Sequence, residues 1–351
     1  MPATRPALPD ARSPRGFTLI ELLVVVAVLS SVALLAFGVA SEDRAQLRYN
    51  DTRVRLNQLE RAILGRLGPV DAASVGGFVA DNGELPTSIA QLLAADSSWG
   101  TQAAQQPIFD PVPNKGSCEN NGDGETALAD SSALLIKGHR TNYLGGAAFN
   151  GRFRDGWGNE SSTDDASNFG WSVSTDSSAR SLTVASLGAD NASDGSDFAA
   201  DVARTIAAGE WLVPIGGWSV SVANYSSVDI PANTFSASLL VFHNDASSGH
   251  WRRYSTPSND VCLGAYGSST TTCSKSITLS FSAGCSPTDS TAGHDKIPQG
   301  RHLLVLVKDS DGVWNSGDAV YFASSPTTRP IATQITAVAG MALPEARLEI
   351  R

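Results

Sequence analysis

The sequence predicts an α+β protein: a long N-terminal membrane helix packed on a small antiparallel sheet, followed by a C-terminal β-sandwich-like module. Three observations carry that expectation. Residues 22–40 contain no charged side chain, about the length of apolar chain, roughly 20 residues, that a bilayer-spanning helix needs. Beyond them Leu56, Leu59, Ile63 and Leu67 recur at helical spacing. Further on, residues 277–281 and 346–350 alternate strictly between apolar and polar side chains, the period of a strand that buries one face.

Composition sets the compartment and the partners. The chain has 351 residues, enough for two domains with sizeable cores. Charged residues make up 17%, with 32 Gly and 17 Pro, a loop- and strand-rich balance more typical of extracytoplasmic proteins than of cytosolic enzymes. The net charge of −10 disfavours nucleic acid as a partner and is compatible with divalent cations. Cys118, Cys262, Cys273 and Cys285 form no Cys-x-x-Cys pair, so zinc and thioredoxin-like readings are weak. In an oxidising compartment disulfides are the default. Four cysteines allow three connectivities, and a Cys262–Cys273 bridge is favoured because the Gly/Ser/Thr-rich segment between them closes easily.

Residues 1–16, rich in Pro and Arg, are expected to be an unstructured leader that is removed. Arg5, Arg12 and Arg15 precede Gly16-Phe17-Thr18-Leu19-Ile20-Glu21, so a basic leader meets a Gly-Phe junction, one acid and the apolar run. Glu21 is the anomaly. An acid buried unpaired in a membrane helix costs up to roughly 2.5–3.5 kcal/mol. The alternatives are a secretory signal cut near Gly38-Val39-Ala40-Ser41 and a plain anchor. A signal's apolar region is shorter, roughly 7–15 residues, and plain spanning asks for neither Gly-Phe nor Glu.

Gly16-Phe17-Thr18-Leu19-Ile20-Glu21-Leu22 resembles the processing site of type IV prepilins and type II secretion pseudopilins. The resemblance implies cleavage between Gly16 and Phe17 by a prepilin peptidase and methylation of the new Phe17 amine. It also implies that Glu21 pairs with a neighbouring subunit's N-terminal amine during assembly. In a low-dielectric helix bundle that attraction is far stronger than in water; it offsets part of the desolvation cost and selects the stagger between subunits. Loss of the leader leaves 22 basic and 34 acidic residues, a net −12.

The expected organisation is a leader over 1–16, a helix over 17–68 with 17–40 as its transmembrane part, a globular domain over 69–204 and a β-rich domain over 205–351. The distal half of the helix should lay Leu56, Leu59 and Ile63 on a sheet and expose Arg53, Arg55, Glu60 and Arg66, with Gly68-Pro69 ending it. A turn at Asn82-Gly83 and a short helix capped by Thr87 or Ser88 follow. Residues 94–140 read as a long loop or insertion. Strands are expected at 169–173, 181–186, 218–222, 235–242, 277–281, 303–307, 319–322, 331–337 and 346–350.

Two further stretches resemble the major pseudopilin. Asp155-Gly156-Trp157-Gly158-Asn159 is similar to its Asp-x-Trp-Gly-Asn segment, with Gly156 and Glu160 where the family has Pro; Trp157 is expected to pack in the core. The loop from Ser186-Leu187-Gly188-Ala189-Asp190 to Asp201 resembles its calcium loop, without the Gly-Gly-Glu-Gly middle. By that resemblance Ca²⁺ would be held by the Leu187 carbonyl, Asp190 and one or both of Asp197 and Asp201, oxygen ligands of the kind the ion prefers. A solvated acidic loop is the plain alternative. A second acidic stretch, from Asp309 to Asp318, lacks a glutamate at its twelfth position and reads as a strand-connecting turn.

No catalytic constellation emerges: the five histidines form no His-Glu-x-x-His, and no serine lies in a Gly-x-Ser-x-Gly elbow. His243 and His302 beside apolar strands are expected to be hydrogen-bonded structural groups. The expected function is that of a filament subunit in the inner membrane, its C-terminus periplasmic, which polymerises into a pseudopilus. Its partners would be prepilin peptidase, other pilin or pseudopilin subunits, the inner-membrane assembly platform and secreted substrates. The alternative is a minor pilin whose β-domain acts as a tip adhesin or cargo receptor.

Overall fold

A computed structural model of the chain describes residues 18–65, 75–93, short pieces between 119 and 150, and 151–351 apart from 161–164, 245–248, 268–271, 287–292, 314, 316 and 323–328; side chains of 35–41 are excepted. It is an α+β structure with an N-terminal helix and a β-rich C-terminal region.

Helix α1, Leu19–Leu64, runs for 46 residues. Leu56, Leu59 and Ile63 lie on one stripe and are buried. They pack with Phe78, Phe153, Trp171, Leu182, Val184 and Ile206 in a first core. Gly65, at φ 80°, caps the helix by donating its N–H to the Arg61 carbonyl, so α1 stops at Leu64 rather than at Gly68-Pro69, both outside the described residues. A β-carbon on Gly65 would lie 2.1 Å from the Gly76 carbonyl oxygen, which is why glycine is needed there. Of the polar flank, Arg53 is exposed as expected, whereas Arg55 pairs with Asp51 and Glu60 with Arg204; Arg66 lies outside the described residues.

Helix α2, Phe78–Asn82, leads into the expected turn at Asn82-Gly83, and Gly83 in the left-handed conformation closes it. The helix expected after Thr87 is a single 3₁₀ turn, Ala90–Leu92, with no side-chain cap. Strand β1 is Glu119–Asn120 and helix α3 is Asp165–Asn168. Strands β2 (Trp171–Asp176), β3 (Ser181–Ser186) and β4 (Val202–Ile206) form an antiparallel sheet in the order β2-β3-β4 against α1. β2 begins two residues later than expected, since Phe169 and Gly170 take positive φ. β4 was not anticipated because Val202-Ala203-Arg204-Thr205-Ile206 lacks a bulky apolar alternation.

Strand β5, Leu212–Pro214, divides the molecule. Successive strand residues point to opposite faces: Leu212 joins the first core and Val213 the second. Then come β6 (Ser219–Asn224), β7 (Phe235–Asn244), β8 (Gly249–Ser255), β9 (Ser276–Ser280), β10 (Lys296–Pro298), β11 (Gly300–Lys308), β12 (Ala319–Val320), β13 (Ala332–Ala337) and β14 (Ala346–Ile350). One six-stranded sheet runs β1-β8-β7-β11-β12 with β13 also on β11; β14-β6-β9 form a second sheet, and β10 pairs with β5. Residues from β6, β9 and β14 share a core with β7, β11 and β13. β7 is buried along its whole length because its other face, Leu240 and Phe242, packs a third cluster with Trp251, Leu303 and Val305. β8 escapes sequence reading because His250, Arg252 and Arg253 interrupt its apolar pattern.

Candidate assembly site and motif loop

Thr18 is the N-cap of α1, in an extended conformation, and Glu21 is the third helical residue. The Glu21 N–H donates to Thr18 Oγ1 at 3.3 Å, and the Thr18 N–H and hydroxyl both donate to Glu21 Oε2 at 3.0 Å. This reciprocal box satisfies donors that a helix start leaves open. Glu21 therefore has a partner within its own chain. The signal for it was Thr-x-x-Glu, the capping-box pattern, which a reading of Glu21 for its charge alone passes over.

Beyond the cap, Leu19, Ile20, Leu22, Leu23, Val24, Val25, Val26, Val28, Leu29, Val32 and Leu34 are all exposed, Leu19 by 83%. A continuous apolar surface of this kind marks contact with a membrane or another protein. Among the described residues, no helix is long and apolar enough to cross a membrane. Gly16 and Phe17 lie outside the described residues.

The Asp155–Asn159 segment is held to both α1 and the loop after β3. Asp155 Oδ1 accepts from the N–H groups of Gly158 and Asn159 at 2.8 and 3.0 Å. Its Oδ2 accepts from the Asn159 amide at 2.8 Å and the Ser186 hydroxyl at 2.5 Å. The Asn159 amide also donates to the Gly188 carbonyl at 2.8 Å. Asp155, Asn159 and Ser186 are buried, where a carboxylate persists only when its acceptor positions are filled. On the other side the Gly156 N–H donates to Thr52 Oγ1 at 3.0 Å, and a β-carbon on Gly156 would fall 2.3 Å from the Arg48 carbonyl. Glycine at 156 thus lets the turn press against α1. Trp157 is half-buried and tilts against Phe198; the core position expected for it belongs to Phe153 and Trp171, whose rings stack at 6.3 Å.

In the adjoining loop, Leu187 is half-buried, and Asp190, Asp197 and Asp201 are exposed. Asp190 Oδ1 accepts from Ala192 N–H, and Asp201 Oδ2 from Asp194 N–H, each at 3.2 Å. Among the described residues no three His, Cys, Asp or Glu side chains gather as a metal site. In this conformation the Asp190 and Asp201 carboxylates serve their own loop backbone.

Cys262 and Cys273 are joined in a disulfide, with α-carbons 4.9 Å apart. Cys285 is buried and disulfide-bonded; Cys118 lies outside the described residues. The Asp309 to Asp318 turn closes on a cation of the chain itself. Arg253, fully buried, reaches Asp309 at 2.5 Å and Asp318 at 2.6 Å, and its Nε donates to Ser238 Oγ at 2.9 Å. His302 donates from Nε2 to the Pro298 carbonyl at 2.8 Å, and His243 Nδ1 lies 3.1 Å from Glu84.

Comparison with known protein families matches residues 11–37 to the prokaryotic N-terminal methylation motif. The match covers the Gly16-Phe17 junction, Glu21 and the start of α1, and does not extend into the β-rich region. The chain thus carries the N-terminal motif of type IV pilin-like, prepilin-processed subunits, which implies a prepilin peptidase and other pilin subunits as partners. No curated protein and no solved structure matches the chain.

Proposed function

We propose that the protein is a structural, non-enzymatic subunit of a type II secretion pseudopilus. The observation that carries this reading is a methylation motif placed directly on a helix whose first four turns expose a continuous apolar surface. The subunit rests in the inner membrane through residues 17–40, with its C-terminus periplasmic. After cleavage between Gly16 and Phe17 and methylation of Phe17, it leaves the bilayer by packing that surface against other copies. The new Phe17 amine lies next to Thr18, so in a stack of helices one subunit's amine can replace the Thr18 hydrogen bonds on a neighbour's Glu21. The assembly platform drives growth, which moves secreted substrates outward.

The experiment is mass spectrometry of the protein from its native host together with a filament assay. The expected N-terminus is methylated Phe17, and Glu21→Ala is expected to insert normally and to lose most filament yield. An N-terminus that retains the leader, or wild-type filament yield in Glu21→Ala, removes the proposal.

The second reading, a minor pilin with an adhesive or cargo-binding tip, draws on the two separate sheets and second core that follow β5. Subunit stoichiometry separates the two: one or a few copies per filament indicate a tip. Calcium at Leu187, Asp190, Asp197 and Asp201 rests on the family resemblance alone. A melting temperature equal in excess Ca²⁺ and in chelator removes it.

A further inference from the structure

Four of the five histidines, His139, His243, His250 and His302, are buried around α2, where the first core meets the six-stranded sheet. The seam is polar and close. From α2, the Ala80 carbonyl accepts from Lys137 Nζ at 2.6 Å, the Asp81 carbonyl from Gly138 N–H at 2.9 Å, and Asn82 Oδ1 from the Asn244 amide at 3.1 Å. The backbones almost touch: a β-carbon would fall 2.0 Å from the Phe242 carbonyl at Gly83 and 2.8 Å from the Ala80 carbonyl at Gly300.

His302 sits on β11 in this seam with no exposed surface. Its Nε2 carries the proton that the Pro298 carbonyl accepts, while Nδ1 has no hydrogen-bond partner among the described residues. The neutral ring tolerates that arrangement. A second proton would add a charge and a buried donor with no acceptor. The charged and titratable groups around it are Lys137, from the segment beside α2, and His243 on β7, which stacks on His250 of β8 at 5.8 Å. Of the seam's carboxylates, Glu84 lies 3.1 Å from His243 Nδ1 and Asp81 accepts from the Tyr143 hydroxyl at 3.2 Å. Burial first, then Lys137 and His243, hold the His302 ring well below its usual 6.5.

We propose that the seam is an acid-sensitive latch: protonation of His302 undocks the β-rich part from α2 while both cores stay folded. The docked ring binds its proton more weakly than the undocked one. Docking is therefore complete above pH 6.5, the ring's ordinary value, and is lost as pH falls below it towards the depressed value, by up to about tenfold per pH unit for one proton. The latch does not depend on the filament reading.

Amide hydrogen exchange on the full chain in detergent, corrected for intrinsic pH dependence, tests it. Gly138, bonded to the Asp81 carbonyl of α2 from the segment whose Leu135 packs on the six-stranded sheet, is expected to lose protection by up to about tenfold per pH unit below about 6.5. Leu304, in the β7–β11 ladder, is expected to keep its protection. His302→Gln, which can still donate to Pro298 but cannot ionise, is expected to hold Gly138 protection to lower pH. Three outcomes overturn the latch: pH-independent protection at Gly138, loss in step with Leu304, or a wild-type pH profile in folded His302→Gln. If that variant does not fold, NMR titration of His302 in the unaltered chain decides. A ring that gains its proton where Gly138 opens supports the latch, and one that stays neutral there overturns it.

Discussion

Glu21 is held by Thr18 within its own chain, so the proposed pairing with a neighbour's amine would exchange these hydrogen bonds for an ion pair in a drier setting. Thr18→Ala removes the cap and is expected to fray the first turn of α1, costing about 1 kcal/mol, read as faster exchange of the first-turn amides. Asp155 is the residue on which the Asp-x-Trp-Gly-Asn motif turns: four hydrogen bonds end on its carboxylate. Asp155→Ala is expected to cost about 2–4 kcal/mol in urea unfolding, because it leaves buried donors unmatched. Gly156→Pro is expected to destabilise by about 3 kcal/mol, since it removes the N–H given to Thr52 and drives a side chain into α1. These roles were partly legible. The motif could be found in the sequence, but the prominent tryptophan drew the structural role that the flanking Asp and Asn perform.

At the scale of elements, the β11–β12 turn is organised by one buried cation from β8. Arg253→Met strands two buried carboxylates and is expected to cost about 3–5 kcal/mol, measured by the urea midpoint at neutral pH. Burial pushes the Asp318 carboxyl up from its ordinary 3.8, with Arg253 opposing and Asp309 adding to the rise. A raised carboxyl binds its proton more tightly in the folded chain, so its contribution is present below pH 3.8 and lost as pH rises through the raised value. Asp318→Asn is expected to flatten that part of the stability profile, measured as urea midpoints across the acid range. Replacing Cys262 and Cys273 by Ser opens a loop closed over a separation of 11 residues, with an expected loss of about 2–3 kcal/mol. Strands with clean alternation, β9 and β14, were legible nearly to the residue. β4, β5, β8 and β10 were not, because sheet position rather than propensity makes them strands.

At the scale of the whole molecule, β5 is shared by two cores and the α2 seam ties them together, with Gln299 of the β10–β11 connection donating to the Leu64 carbonyl at the end of α1 at 2.7 Å. Calorimetry at about pH 7.5 is expected to give one transition, splitting into two below about pH 6 if the latch opens. The sequence by itself determined the N-terminal motif, the helix that follows it and the β-rich character of the rest, because these depend on local residue types and on periods of a few residues. Tertiary structure alone decided how the Asp155 network joins two distant motifs, and that four histidines meet at one seam. Those depend on contacts between residues tens to more than a hundred positions apart, and no local pattern encodes such distances.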